Sequence, residues 1–264
     1  MARQMIDLTG RRALVMGVAN EFSLAWGIAE SLAAAGAELA FSYLPDERGR
    51  SERRVRRLAE RVRSELVLPC DVRKDEDLTA LFSGLTEQWG AMEILIHSIA
   101  WARTEDLSSA FSATSREGFA LANEVSTYSF VGAAHRASRL MAGRPGSIVT
   151  LTYLGSRRAV PHYNVMGVAK AGLESAVRYL AAEMGPNGIR VNAVSPGPIE
   201  TLSSSAIAGL DRMLQAVSAQ APLRRNVTAQ EVGDAVAFLC SDAARGITGQ
   251  ILDVDAGFHL TAGI

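Results

Sequence analysis

A tyrosine and a lysine seven positions apart are the residues of this chain best suited to chemistry. They bound the segment Tyr163-Asn-Val-Met-Gly-Val-Ala-Lys170. In a helix the two side chains would share one face, about two turns apart. The ammonium charge favours an electron-rich phenol and can bind cofactor hydroxyls, while the phenol can donate to a developing oxyanion. The pair suits a hydride-transfer site, although the same spacing also arises by chance.

A second candidate is a loop that would bring phosphate groups to the start of a helix. An apolar run ends at Met16, and Gly17 and Gly27 then bound a segment of small residues that contains Ser23. Backbone N–H groups at a helix start bind anions, and the Ser23 hydroxyl is a further donor. The spacing departs from GxGxxG, so an ordinary turn is the alternative. A strand-helix-strand pattern along the whole chain favours phosphate binding.

The residues after the second apolar run bear on which dinucleotide would bind. The sequence there is Ser42-Tyr-Leu-Pro-Asp-Glu-Arg48, with two acids ahead of the first basic residue. An acid at this place holds a ribose 2′-hydroxyl, whereas an arginine accommodates a 2′-phosphate. The sequence therefore favours NADH over NADPH. Asp71, after the third run, is placed to reach the adenine amino group, with a turn or N-cap role as the alternative.

Short apolar runs alternate with amphipathic segments along the chain. The runs are rich in Val, Ile and Leu, as expected of strands buried on both faces. They predict seven strands: Arg12–Met16, Glu38–Tyr43, Leu66–Cys70, Glu93–His97, Ser147–Thr152, Arg190–Val194 and Gln250–Val254. Between them, apolar residues recur at three- and four-residue steps, which predicts helices. The order predicts an α/β fold with a doubly wound parallel sheet, as a single domain over residues 1–264.

Composition excludes several classes of function. Lys and Arg number 27 against 28 Asp and Glu, so the charge balance gives no support to a nucleic-acid partner. No run approaches the ~20 apolar residues of a membrane span, and charges interrupt the N-terminal apolar residues, so we expect a cytoplasmic protein. Cys70 and Cys240 are expected to be free thiols. The four histidines lack metal-ligand spacing, so no metal site is predicted.

Several motifs together resemble those of the short-chain dehydrogenase/reductase superfamily, specifically its bacterial NADH-dependent enoyl-acyl-carrier-protein reductase branch. The resemblance covers nearly all of the chain. It rests on the Gly17–Gly27 loop with Ser23 and Trp26, Tyr153, the Tyr163–Lys170 segment, residues 189–195, Gly197-Pro198-Ile199, residues 246–250 and residues 253–257. It implies a Rossmann-type fold, a homotetramer, and NADH-driven reduction of an enoyl thioester on an acyl carrier protein or another carrier, as in fatty-acid biosynthesis.

The resemblance also implies roles for individual residues. Hydride would pass from the nicotinamide to C3 of a trans-2-enoyl thioester, with Tyr163 hydrogen-bonded to the enolate oxygen and Lys170 on the nicotinamide ribose. Tyr153 would line the acyl pocket and complete the catalytic group. The other cofactor contacts would be Gly17, Ser23, Leu24, Asp71, Val72, Ser98, Ile99 and Ile199. The substrate contacts would be Ala102, Tyr153, Tyr163, Met166, Ser203 and Ile207, beneath a substrate-covering helix near 203–220.

Position 166 separates this branch from carbonyl-reducing relatives. Those members carry Tyr-x3-Lys, which would place tyrosine where this chain has Met166. A phenol at 163 lies ~4.5 Å further along a helix, which suits a thioester oxygen two bonds from the carbon that receives hydride. A carbonyl-reducing dehydrogenase, a specialised enoyl reductase of another pathway and a silent dinucleotide-binding regulator are the alternatives. Ala208 and Asp211, where relatives can carry basic residues, weaken steering of an acidic carrier protein.

Overall fold

Seven parallel strands form one sheet in a computed structural model that describes residues 6–199 and 210–261. The strand order across the sheet is β3-β2-β1-β4-β5-β6-β7. The strands are β1 (Arg12–Met16), β2 (Glu38–Tyr43), β3 (Leu66–Pro69), β4 (Ile94–His97), β5 (Gly146–Leu151), β6 (Ile189–Pro196) and β7 (Ile251–Val254).

Helices cover both faces of the sheet. They are α1 (Leu24–Ala34), α2 (Arg50–Arg61), α3 (Asp75–Trp89), α4 (Thr104–Ser108), α5 (Arg116–Asn123), α6 (Ser129–Leu140), α7 (Asn164–Met184), α8 (Leu210–Gln220) and α9 (Ala229–Cys240). A π-helical turn, Glu124–Tyr128, joins α5 to α6. No helix within the described ranges combines the length and apolar character needed to cross a membrane.

The predicted α/β class and all seven strands are confirmed, with small differences at strand ends. The largest difference is β6, which runs from Ile189 to Pro196 rather than from Arg190 to Val194. It is longer because its two neighbours are staggered: β5 pairs with residues 189–194 of β6, and β7 pairs with residues 193–196. Strand β3 ends at Pro69, β4 starts at Ile94, β5 is shifted to Gly146–Leu151 and β7 starts at Ile251.

The sheet is buried on both sides by two apolar clusters. Along β1, Leu14 and Met16 pack with α3, α6 and α7, whereas Ala13 and Val15 pack with α1, α2 and α9. The chain leaves β1 for β2 on one side and later enters β4 on the other. This reversal of strand order opens a crevice at the carboxyl ends of β1 and β4, where open α/β sheets bind ligands.

Glycines let α1 lie against α9. A Cβ on Gly27 would come 2.8 Å from the carbonyl oxygen of Ala229, and one on Gly233 would come 2.5 Å from that of Gly27. Neither distance is compatible with a side chain unless backbone shifts. The contact fixes α1, and therefore the loop before it, relative to the sheet.

We expect Gly27→Ala to lower the free energy of unfolding by ~1–3 kcal/mol, because the added methyl meets backbone in a packed interface. Gly84→Ala, within α3, is the matched control. The added Cβ would make an ordinary 3.5 Å contact with a methyl group of Leu68 on β3. That control should stabilise by ~0.5–1 kcal/mol through helix propensity. Urea denaturation measures both. A Gly27→Ala variant as stable as Gly84→Ala would contradict the packing argument.

Candidate active site

The loop between β1 and α1 lies at the crevice, with its helix start open to a ligand. Gly17 has φ +100, and a Cβ there would overlap the carbonyl oxygen of Ser98, so only glycine fits. Ser23 is the N-cap of α1: its Oγ accepts from the backbone N–H of Trp26 at 3.3 Å and donates to the Asn20 carbonyl at 2.7 Å. Leu24 begins the helix. This geometry fits the pyrophosphate of a dinucleotide.

The remaining predicted cofactor residues follow the ends of β3, β4 and β6. Ser98 and Ile99 come directly after β4, and the backbone N–H of Ser98 donates to the Met16 carbonyl at 3.0 Å. Val72 is buried in the core, whereas Ile99 and Ile199 are partly buried at its margin. The structure therefore gathers these residues around the crevice, and their contacts with a cofactor stay predictions.

Two acids near the predicted adenosine end are engaged by the protein. Arg73 donates to both oxygens of Asp71, at 2.9 and 2.5 Å, and this guanidinium holds the Asp71 pKa below its usual value. The backbone N–H of Arg73 also donates to Asp71, at 3.1 Å, and the adenine contact of this residue stays a prediction. Asp46 accepts backbone N–H groups at the start of α2, which lowers its pKa. Asp46 therefore caps the start of α2, and a ribose contact of this residue stays a prediction.

Lys170 lies in the middle of α7 and is buried. Its Nζ donates to the carbonyl oxygen of Leu151, the last residue of β5, at 2.7 Å. Burial lowers the lysine pKa to about 8, and the nearby Glu174 acts in the opposite direction. The side chain therefore carries its charge at neutral pH but titrates within the range of enzyme assays.

Tyr163 is the residue immediately before α7 rather than a residue within it. Asn164 follows with φ +38, and its side-chain amide donates to the carbonyls of Leu107 at 3.0 Å and Ser109 at 2.7 Å. These hydrogen bonds hold Asn164 in place and thereby fix the position of Tyr163 at the start of α7. The expectation that both side chains project from regular helical positions is corrected to this extent.

The two predicted tyrosines lie together. Their ring centroids are 4.8 Å apart with the planes at 60°, and the Tyr153 hydroxyl donates to the Met213 sulfur on α8 at 3.1 Å. Burial raises the pKa of Tyr163 and raises the pKa of Tyr153 to about 12. Both phenols are therefore protonated at neutral pH. Tyr163 is a hydrogen-bond donor, and the Lys170 charge does not ionise it.

Three predicted substrate residues meet in one apolar cluster. Ala102, Tyr163 and Met166 pack with Leu107, Ala122 and Val165. Ser203 and Ile207 lie outside the described residues, as does the first part of the predicted covering helix. Its described part is helical, Leu210–Gln220, and reaches Tyr153 through Met213.

Three polar residues at the site were not singled out from the sequence. His97 is buried between the hydroxyls of Ser129 and Thr150, and burial lowers its pKa to about 3, so the ring is neutral. Ser126, in the π-helical turn, accepts the backbone N–H of Trp101 at 3.1 Å. Glu174 is buried one turn after Lys170 on α7. The signal for Glu174 was available, because an acid four residues after Lys170 falls on the inward face.

Donors for a metal ion come together near the C-terminus, although their sequence spacing did not suggest it. Asp253, Asp255 and His259 offer ligand atoms within 4.8 Å of one another. Arg157 donates to Asp253 at 3.1 Å, and His259 Nδ1 lies 3.0 Å from Asp255. These groups are held by protein partners, so we assign no metal to them.

The crevice, the capped α1 and the Tyr163–Lys170 pair define a dinucleotide-dependent oxidoreductase class. The family described as enoyl-(acyl carrier protein) reductase matches residues 17–259. The chain is similar to the NADH-dependent enoyl-[acyl-carrier-protein] reductase FabI of Nostoc sp., at 55% identity over 97% of the chain and 99% of that relative. The chain therefore belongs to the enoyl-(acyl carrier protein) reductase family, within the short-chain dehydrogenases/reductases.

Solved structures of enoyl-acyl-carrier-protein reductases have the same fold as this chain. The NADH-dependent enoyl-[acyl-carrier-protein] reductase of Aquifex aeolicus superposes with a TM-score of 0.93 at 45% identity, covering 98% of this chain and 100% of that one. The Bacillus cereus enoyl-acyl carrier protein reductase, solved with NADP⁺ and indole naphthyridinone, gives a TM-score of 0.92 at 47% identity, covering 97% and 98%. The similarity extends over the whole sheet and its helices rather than over the crevice alone.

We expect kcat/KM with crotonyl-coenzyme A to fall as pH rises through about 8, because the Lys170 ammonium loses its proton there. Lys170→Arg is the informative variant, since a guanidinium stays charged to above about pH 12. It should work more slowly, because its shape differs, yet lose the decline near pH 8. A decline that persists unchanged in Lys170→Arg would contradict the assignment.

Proposed function

We propose that this protein reduces the C2=C3 double bond of trans-2-enoyl thioesters on an acyl carrier protein, with NADH, in fatty-acid biosynthesis. The observations that support the proposal are a protonated Tyr163 packed with Met166, which stands where a carbonyl reductase has tyrosine, and a charged, buried Lys170 seven residues further along the chain. Relatives named as NADH-dependent enoyl reductases support it.

The cofactor site is built from this chain's own residues. Gly17, Ser23 and the first N–H groups of α1 would hold the pyrophosphate, and Asp71 would receive the adenine amino group. Lys170 would bind the nicotinamide ribose through its ammonium. When bound, NADH would supply the hydride that is added to C3 of the enoyl group, and the resulting enolate would take a proton from water at C2 to complete the reduction.

Tyr163 supplies the stabilisation of negative charge. Its phenol is protonated, so it donates a hydrogen bond to the thioester oxygen as an enolate develops, and Lys170 keeps the site positive. Lys170 is buried, which strengthens its interaction with the developing charge. Tyr153, in edge contact with the Tyr163 ring, would line the acyl pocket and orient the thioester.

We expect Tyr163→Phe to lower kcat by ~10²–10³, the usual loss for one oxyanion donor, while the Kd for NADH is unchanged. The control is Tyr179→Phe, which changes an exposed tyrosine on α7, the helix that follows Tyr163. NADH oxidation with crotonyl thioester measures the effect, and the wild type should act far more slowly on acetoacetyl thioester. A fully active Tyr163→Phe, or a preference for the ketone, would sink the proposal.

The homotetramer and the cytoplasmic location are parts of the same proposal, as is a single domain over residues 1–264. Apolar side chains exposed on α7 support self-association: Val168 and Tyr179 fall on one stripe of the helix, and Tyr128 is exposed in the π-helical turn packed against it. Free, buried Cys70 and Cys240 fit a reducing compartment.

Tyr179→Glu should break the assembly, because 77% of this side chain is exposed in one copy and a charge there would be desolvated between copies. Sedimentation equilibrium should show a smaller species than the wild type. Leu44→Glu, which adds the same charge after β2, should sediment as the wild type does. A Tyr179→Glu variant of unchanged mass would remove α7 from the interface.

A further inference from the structure

Glu174 is the buried acid of the active-site helix that the reaction itself does not use. It lies on α7 four residues after Lys170, and 6% of its surface is exposed. A carboxylate is seldom buried to this degree unless its oxygens are satisfied by specific partners. Those partners show what it does.

Both hydrogen bonds of Glu174 hold the segment that carries Tyr153. The Thr152 hydroxyl donates to Glu174 Oε1 at 2.8 Å, and the Ser156 hydroxyl donates to the same oxygen at 2.5 Å. Lys170 binds the carbonyl of Leu151 just before them. The segment 151–156 is therefore tied to α7 on both sides of Tyr153.

Segment 151–156 is closely packed against α7, so these hydrogen bonds also fix the positions of Tyr153 and Tyr163. A Cβ on Gly167 of α7 would lie 2.7 Å from the carbonyl oxygen of Gly155, and one on Gly155 would overlap the Tyr163 ring. The segment thus rests directly on the helix and on the proposed catalytic ring. Loosening it displaces Tyr153, whose ring is in edge contact with Tyr163.

We propose that Glu174 is a positioning residue for the reaction: it fixes the Tyr153 segment on α7 and sets a negative charge one helical turn from the Lys170 ammonium. The inference rests on the roles proposed above for Tyr163 and Lys170. By holding the Tyr153 segment, the Thr152–Glu174–Ser156 cluster would fix the orientation of the thioester.

Among the described residues, His97 on β4 also interacts with the Lys170 ammonium, but with a pKa of about 3 its ring is neutral. The charged Arg157 acts on Glu174 and is hydrogen-bonded to Asp253. Burial lowers the Lys170 pKa, and Glu174 raises it. Without the carboxylate, Lys170 would lose its proton at lower pH.

Glu174→Gln separates charge from shape, since the amide oxygen can still accept a hydroxyl hydrogen. We expect its alkaline decline in kcat/KM to start at lower pH, so that the ratio of kcat/KM at pH 8.5 to that at pH 6.5 falls about threefold or more relative to wild type. An unchanged ratio in folded Glu174→Gln would overturn the electrostatic part of the proposal.

Thr152→Val and Thr152→Ser test the tie without changing charge. Val is isosteric and cannot donate, so we expect a higher KM for crotonyl thioester, an unchanged Kd for NADH and an unchanged pH profile. Ser restores the hydroxyl and should recover the KM. A wild-type KM in Thr152→Val, or a loss that Ser does not rescue, would overturn the positioning role, and these variants serve if Glu174→Gln fails to fold.

Tyr163→Phe, assayed in parallel, distinguishes the two levels of failure. If Tyr163→Phe is slow while Glu174→Gln and Thr152→Val match the wild type, the inference about Glu174 is wrong and the proposed function stands. If Tyr163→Phe is fully active, the proposed site itself is wrong, and the Glu174 inference falls with it.

Discussion

An ammonium group held away from water is the constraint around which this active site is arranged. Burying an unpaired charge is costly, so the Lys170 ammonium is stabilised by the hydrogen bond that it donates to the Leu151 carbonyl and by Glu174 one turn away. The hydrogen bond to Leu151 joins α7 to the end of β5, and the segment that carries Tyr153 starts there. Burial also keeps the phenols of Tyr153 and Tyr163 protonated.

The strand order of the sheet determines where Lys170 and the loop after β1 lie. Because β1 is flanked by β2 and β4, the strand order reverses beside the loop that starts at Gly17, and α1 points its open N-terminus into the opening. β5, next to β4, brings Lys170's acceptor to the same edge. Packing of α1 on α9 and of α7 on the sheet fixes the proposed phosphate-binding loop relative to Tyr163 and Lys170.

The strands were predictable from sequence because each is a short apolar run buried on both faces. Tyr163 and Lys170 were identifiable by spacing and Met166 by the family resemblance, and the structure brings Tyr163 and Met166 into one cluster. The exact setting of Tyr163 was not predictable, because it depends on Asn164 adopting φ +38 and bonding carbonyls more than fifty residues earlier. Asp46 also eluded the sequence, since a carboxylate after a strand serves a ribose or a helix cap equally well.

Contacts between distant segments account for what sequence reasoning missed. Glu174 is hydrogen-bonded to Thr152 and Ser156, and His97 to Ser129 and Thr150. These partners lie from 18 to 53 residues away in the sequence. Periodicity reports only that a position faces inward. It does not show which hydroxyl will form a hydrogen bond with the side chain at that position.

The most direct test is a crystal structure of the protein with NAD⁺ and a saturated acyl thioester. The account predicts the Lys170 ammonium within hydrogen-bond distance of the nicotinamide ribose and the Tyr163 hydroxyl on the thioester oxygen. A complex in which either side chain turns away from the nicotinamide, in every conformer, would contradict it.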